Sequence, residues 1–207
     1  MVIGQRCDTI REAALTVFAR RGFHQGSIRE IARLARLSLA GLYHYVRGKD
    51  ELLFLVLDRA LATLVGMADE ALAAARTPET RLLALIRTHL EFGFQHADAL
   101  RVVNRDWELV TGAHRVEIVA RRRAYMDRWL AVLDELDPHA RPGRELFSAT
   151  NVLLGMLNGV ATPAFLKTAG DARARAGEIG RLFLYGFLER STDGGEPAVA
   201  IGGTHDA

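Results

Sequence analysis

Between residues 27 and 49 the chain places Ser27, Arg29, Arg36, Ser38, Tyr43, His44 and Lys49, a grouping of hydroxyls, cations and one phenol suited to an extended polyanion. Such side chains bind phosphate oxygens, and the arginine fork also matches the paired acceptors of guanine in a major groove. Residues 1–50 hold nine Lys and Arg against four Asp and Glu, a balance of +5 that leaves −3 for the rest of a chain whose overall charge is +2. A basic end on a near-neutral chain suits a polyanionic partner there, although a solvated basic face has the same composition. Nothing comparable serves catalysis. The sequence has no HExxH, no paired-cysteine metal motif, no Walker loop, no GxGxxG and no GxSxG, so neither an enzyme nor a cofactor or metal site is expected. His89 and His96 lie seven apart without adjacent carboxylates and are expected to be ordinary hydrogen-bonded or surface residues.

The elements that position these residues are helical, since apolar periodicity near 3.6 dominates and no alternating strand pattern is found. Residues 5–21 carry Ile10, Ala13, Ala14, Val17 and Phe18 on one stripe, with Gly22 as a stop. Ser27 and Glu30 fit a capping box that opens a short second helix to Ala35, and Ser38 can cap a third over 39–45. Two short helices joined by Arg36, Leu37 and Ser38 have the form of a helix-turn-helix. Ile31, Ala32, Ala35, Leu37, Leu42 and Val46 would pack onto the first helix, leaving Leu39, Ala40, Gly41, Tyr43 and His44 outward. A seven-residue helix is about 10 Å long and fits the roughly 12 Å major groove.

Further helices are expected from Asp50, over 78–96 behind the Thr77-Pro78 start, over 98–110, 114–136, 144–160 and 176–190. The fold class is therefore all-α: an N-terminal three-helix helix-turn-helix head and a C-terminal helical bundle, about nine helices in total. The divisions expected are 1–50 for DNA binding, 51–190 for ligand binding and dimerisation, and 191–207 as a disordered tail. With the single Cys7, no secretory leader and no long apolar run, a cytoplasmic protein without membrane contact is expected.

The run from Ile10 to Leu53, including AALTVFARRGFHQGSIREIARLA and LYHYVRGKDELL, resembles the DNA-binding domain of the tetracycline-repressor (TetR) family. The resemblance implies a homodimeric repressor on palindromic double-stranded DNA. Within it, Tyr43 matches a tyrosine whose hydroxyl meets the DNA backbone, and Arg29 falls where members use a second-helix side chain against a base edge or phosphate. Ser27 and Lys49, each at a helix start, are the candidates for phosphate. Many members have glycine in the turn and Lys-Gly-Thr opening the recognition helix. Here Arg36 takes the turn and Leu39, Ala40 and Gly41 open the helix, so sequence preference must come from Arg29, Tyr43, Arg36, apolar contact with thymine methyls and DNA shape.

The segments NRDWELVTGAHRVEIVARRRAYMDRWLAVL and LLGMLNGVATPAF resemble a narrower group that controls fatty-acid, aromatic-acid or steroid catabolism and responds to acyl-CoA thioesters. Where that group often has a tryptophan after Asn-Gly, this chain has Thr162-Pro163-Ala164-Phe165. Residues that could line a pocket for a small hydrophobic effector are Phe92, Trp107, Tyr125, Trp129, Asn151, Met156 and Asn158, with Arg101, Arg105 or Arg122 for a CoA phosphate. Gly155 and Gly159, four apart, together with Leu182, Tyr185 and Leu188, are the candidates for a dimer interface. In the run Arg121, Arg122, Arg123 successive side chains point about 100° apart, so a solvated helix paired to Glu117 and Asp127 is expected rather than a basic patch. A constitutive DNA-binding protein and a drug-responsive efflux regulator of the same fold are the alternatives.

Overall fold

The computed structural model describes residues 2–136, 143–162, 165 and 167–192, and among them every regular element is helical. The chain runs α1 (Val2–Gln25), α2 (Ile28–Leu34), α3 (Leu39–Tyr43), α4 (Lys49–Ala74), α5 (Pro78–Gln95), α6 (Ala97–Asp106), a short 3-10 turn (Trp107–Leu109), α7 (Gly112–Leu136), α8 (Gly143–Val160) and α9 (Ala169–Thr192). The N-terminal head with its C-terminal helical bundle is thus the architecture observed. The expected loop at 137–142 and residues 193–207 of the expected tail lie outside the described residues, whereas Ser191 and Thr192 are still helical.

Local chemistry explains the boundaries. Gly22 (φ +76°) breaks α1, because a left-handed backbone is a conformation that glycine adopts without a Cβ clash. Thr77 and Thr80 form a reciprocal capping box at α5, with Pro78 inside the first turn. The Glu51 carboxylate accepts from the Arg47 amide at 2.5 Å, at the start of α4. Three expected spans are corrected. The sixth helix ends at Asp106 and tightens into the 3-10 turn, the third stops at Tyr43 rather than residue 45, and the ninth begins at Ala169, seven residues early.

One continuous core joins the head to the bundle, running from Ile10, Val17, Phe18, Ile31 and Leu42 through Leu53, Leu57 and Leu64 of α4 to Leu85, Ile86, Trp129 and Leu153. Ion pairs reinforce the outer seams: Arg128 holds Asp69 with two bonds of 2.6 and 2.7 Å, and Arg81 holds Glu135 at 2.5 Å.

The approach of α5 to the end of α8 depends on Gly93. A Cβ there would lie 2.5 Å from the Ala161 Cβ and 2.7 Å from its carbonyl oxygen. Gly93→Ala is therefore expected to destabilise the protein by about 1–3 kcal/mol through overpacking. Gly66→Ala, at a helical glycine with open space around it, should be neutral or stabilising by up to about 1 kcal/mol. Thermal unfolding of both variants checks this, and equal midpoints would contradict the close approach.

Candidate nucleic-acid interface and inner cavity

The head is organised by which residues α1 covers. Ile31, Ala32, Ala35, Leu42 and Val46 are buried against it, and Leu37 is partly buried, as the periodicity requires. That packing leaves Arg29, Arg36, Ser38, Ala40, Tyr43 and His44 exposed on the far side, with Leu39 and Gly41 half-exposed. The outward candidates are therefore all at least half-exposed. Ser38 caps α3 by accepting from the Gly41 amide at 2.9 Å. Because α3 has five residues, it is about 7–8 Å long, shorter than expected, and His44 sits just beyond its end.

Two expectations about helix starts change. Ser27 makes no side-chain cap, and Glu30, expected to reach back to it, instead pairs with Arg21 at 3.0 Å. The charged partner on α1 outcompetes the backbone amide for the carboxylate, since charge-assisted bonds are the stronger kind. Lys49 is half-buried, with its ammonium donating to the His24 carbonyl at 2.9 Å and lying 4.7 Å from the Phe23 ring centroid. It ties the start of α4 to the end of α1 and retains two N–H donors beyond that bond. Arg36 has φ +55°, the one non-glycine residue in a left-handed conformation among the described residues, at the turn where many family members have glycine.

Within the bundle, a partly open cavity of about 70 Å³ lies between α4, α5, α6, α7 and α8. Its polar lining is His89, Asn104, Arg122, Tyr125 and Asn158, against Leu61, Leu64 and Leu154 among the apolar walls. It adjoins an open groove of about 350 Å³ that shares Leu100, Asn104 and Asn158 and adds Arg101 and Arg105. The buried His89 ring contacts the Tyr125 hydroxyl through Nδ1 at 3.0 Å and the Asn158 Oδ1 through Nε2 at 3.2 Å. Burial pushes His89 down to about 4, against the opposing hydrogen bond to Asn158, and pushes the Tyr125 phenol up, so both are neutral at pH 7. A neutral imidazole facing an amide oxygen must donate from Nε2, so Nδ1 accepts from the Tyr125 hydroxyl. Asn104 Nδ2 also donates to Asn158 Oδ1, at 2.8 Å. With its oxygen doubly occupied, Asn158 keeps its own NH2 donors for an occupant of the cavity.

Of the residues expected to bind an effector, Tyr125 and Asn158 line this cavity. Trp129 lies fully buried behind them, edge-on to His89 and Tyr125. Phe92 is buried in the core beside His96, and Trp107 is half-buried beneath Arg122 and Arg115, so neither lines the space. Asn151 and Met156 are exposed on α8, where Asn151 bonds its own helix at the Phe147 carbonyl, because that face of α8 turns away from α5 and α7. Sequence reasoning passed over His89 as ordinary and did not find Asn104. The clue was the spacing of His89 with Phe92 and Ile86 on an apolar face, where a polar side chain must find partners.

The arginine run also differs from expectation. Arg121, still exposed, pairs with Asp58 of α4 rather than Glu117, and the half-buried Arg122 stacks 4.3 Å from the Trp107 ring centroid, because both reach neighbouring elements. Gly155 and Gly159 are exposed with nothing near a would-be Cβ, and Leu182 and Tyr185 are exposed on α9. The Leu188 side chain lies outside the described residues. No helix among the described residues is long and apolar enough to cross a membrane, and no metal-ligating cluster is found among them.

Residues 10–56 match the family described as bacterial regulatory proteins, tetR family, and residues 75–162 match the tetracyclin repressor-like C-terminal domain. An uncharacterized HTH-type transcriptional regulator in the dhlA 5' region of Xanthobacter autotrophicus is 25% identical over 161 residues, 77% of this chain and 79% of that protein. A TetR-family transcriptional regulator from Bordetella parapertussis 12822 superimposes with a TM-score of 0.79 at 27% identity, covering 88% of this chain and 96% of the other. The fold is also that of AibR, whose structure is in complex with isovaleryl coenzyme A and operator DNA, with a TM-score of 0.74, 24% identity and coverage of 86% and 98%.

Two outcomes follow from this geometry. Arg36→Gly removes left-handed strain of about 1 kcal/mol and one exposed cation. It should raise the midpoint of unfolding while weakening duplex DNA binding several-fold and lowering the salt slope by about one. Fluorescence anisotropy across salt concentrations measures the second effect, and unchanged affinity would remove Arg36 from the interface. His89, whose folded value of about 4 lies below its ordinary value, is protonated first in the unfolded chain. The stability of the neutral buried form is complete above about pH 6.5 and declines as pH falls toward 4, by an amount on the order of 3 kcal/mol. Urea unfolding should show about 2 kcal/mol of this loss between pH 7 and pH 5, and His89→Gln should flatten the dependence.

Proposed function

The chain belongs to the tetR family of DNA-binding transcription regulators, and from that premise we propose that it is a cytoplasmic homodimeric repressor, releasing an inverted-repeat operator when a small hydrophobic effector enters the bundle. The observation that carries this reading is the coexistence, in one continuous core, of an outward-facing basic head and a polar-studded cavity. In this reading Arg29, Arg36, Tyr43 and His44 meet DNA, with Ser27 and Lys49 at phosphates and Leu39 or Ala40 against thymine methyls.

The dimer is inferred from the apolar side chains that α8 and α9 leave exposed. Phe147, Val152 and Met156 of α8 and Leu182 and Tyr185 of α9 are between 44% and 69% exposed. Soluble monomers rarely leave large apolar groups clustered in water, and the same surface of a second copy would cover them. Gly155 and Gly159 of α8 permit close helix approach. For the effector, an acyl-CoA thioester is the leading class. It is favoured by the narrower sequence resemblance and by the isovaleryl coenzyme A bound to AibR.

Sedimentation at micromolar concentration should give a dimer, with Gly159→Trp shifted toward monomer; a well-behaved native monomer would overturn the assembly. Anisotropy of the operator complex, challenged with acyl-CoAs, the free acids and aromatic drugs, tests the rest. Release by a thioester supports the effector class named here, and release by drugs alone assigns an efflux-type regulator. Persistence of the complex with every compound marks a constitutive binder.

A further inference from the structure

Three arginines lie near the cavity and its groove, and two are already occupied. Arg101 pairs with Asp98 at 3.2 Å, while Arg105 holds the Asp106 carboxylate at 2.8–2.9 Å and the Phe18 carbonyl at 2.5 Å. Arg122 is different. It lines the cavity itself, is half-buried, and has no hydrogen-bonded or ion-paired acceptor among the described residues. Trp107 covers the face of its guanidinium, which leaves the in-plane N–H donors as the unsatisfied part.

We infer that Arg122 is the anion anchor of the effector site, its guanidinium taking an oxyanion of the ligand while the apolar remainder extends along the Leu100–Ala161 groove. This rests on reading the cavity as the effector site. A charge held out of water without a hydrogen-bonded acceptor is costly, and burial accordingly pushes the Arg122 guanidinium down, while the Glu108 charge acts in the other direction. A bound oxyanion would supply both the counter-charge and the acceptors. The cavity lining contains no carboxylate to repel it, and His89 and Tyr125 cannot act as counter-ions while neutral. In the same lining, the Asn158 NH2 offers donors to a second oxygen, since the Asn158 oxygen is the atom that His89 and Asn104 use. The cavity of about 70 Å³ is far smaller than the adjoining groove of about 350 Å³, so it accommodates a compact polar head and the groove the longer remainder. That oxyanion comes either from the carboxylate of a small apolar acid or from a phosphate of a CoA ester.

The test uses the full-length protein and its two tryptophans, Trp107 and Trp129, as intrinsic fluorescence reporters. Isovalerate, hexanoate, octanoate and benzoate are titrated beside their primary amides and their CoA thioesters. Either the acids or the thioesters should bind at least tenfold more tightly than the amides, the tighter series naming the source of the oxyanion. Arg122→Gln should bring the anion-to-amide affinity ratio down to about one, and Arg122→Lys should keep most of it. Circular dichroism verifies folding; should the glutamine variant not fold, the lysine variant and the acid-to-amide ratio of the native protein decide. Amides binding as well as anions, anion affinity indifferent to Arg122→Gln, or no response to any anion at millimolar concentration would overturn the assignment. Anions that bind through Arg122 yet leave the operator bound would sink the regulator reading instead. Operator release by a compound that ignores Arg122→Gln would sink only the anchor.

Discussion

Phe18 lies in the last turn of α1 before the chain leaves helical geometry at Gly22, where carbonyls lack helical partners. Its oxygen is taken by the Arg105 guanidinium of α6, which is itself clamped by two bonds to the buried Asp106 carboxylate. The pairing with Asp106 keeps Arg105 charged, outweighing the partial desolvation, so the bond to Phe18 is charge-assisted. The link fixes the last turn of the head's longest helix to one helix of the bundle. Without it, the apolar seam between α1, α4 and α6 would still bury area, but area alone does not set the angle at which the head leaves the bundle.

The bundle answers a different problem, that of holding polar groups in an apolar interior. It does so with neutral donors and acceptors that converge on one oxygen: Tyr125 donates to His89, and His89 and Asn104 both donate to Asn158. Each bond contributes only about 0.5–1.5 kcal/mol net, whereas an unmade one costs more. The chain of bonds therefore specifies how α5, α6, α7 and α8 meet more than it stabilises them. Arg122 is the formal charge in that lining, and its stack on Trp107 offsets part of the desolvation.

The sequence was most legible where a local pattern decides the outcome. The head's periodicity identified Ile31, Leu42 and Val46 as buried and Tyr43 and His44 as outward, because a short helix on one supporting helix has a single face to hide. The Thr77-Pro78 start was equally local. Legibility failed where a distant partner competes. Glu30 chose Arg21 over its own cap, and Arg121 chose Asp58 across 63 positions over Glu117 one turn away. In the bundle, composition located the right helices but not their rotation. Asn151 and Met156 satisfied every chemical requirement of a pocket residue, yet lie on the face of α8 that α5 and α7 leave uncovered, since several faces of that helix are apolar. His89 is the converse case: an isolated histidine in the sequence becomes a junction once three other helices surround it.

Two neighbours on α6 bring these parts together. Asn104 faces the cavity and Arg105 faces the head, as residues about 100° apart on one helix can. Under the proposed function, an occupant that accepts from the Asn158 NH2 would pull on the amide whose oxygen Asn104 holds, and a resulting turn or shift of α6 would be carried to Phe18 by Arg105. A coupling between sites of 1–3 kcal/mol is typical, which is the scale of one or two such hydrogen bonds. The occupant must still prefer one position of α6 to the other, because equal affinity for both would leave the head where it was. The directional bond chain provides that preference, since Asn158 cannot satisfy His89, Asn104 and a ligand acceptor with its amide reversed.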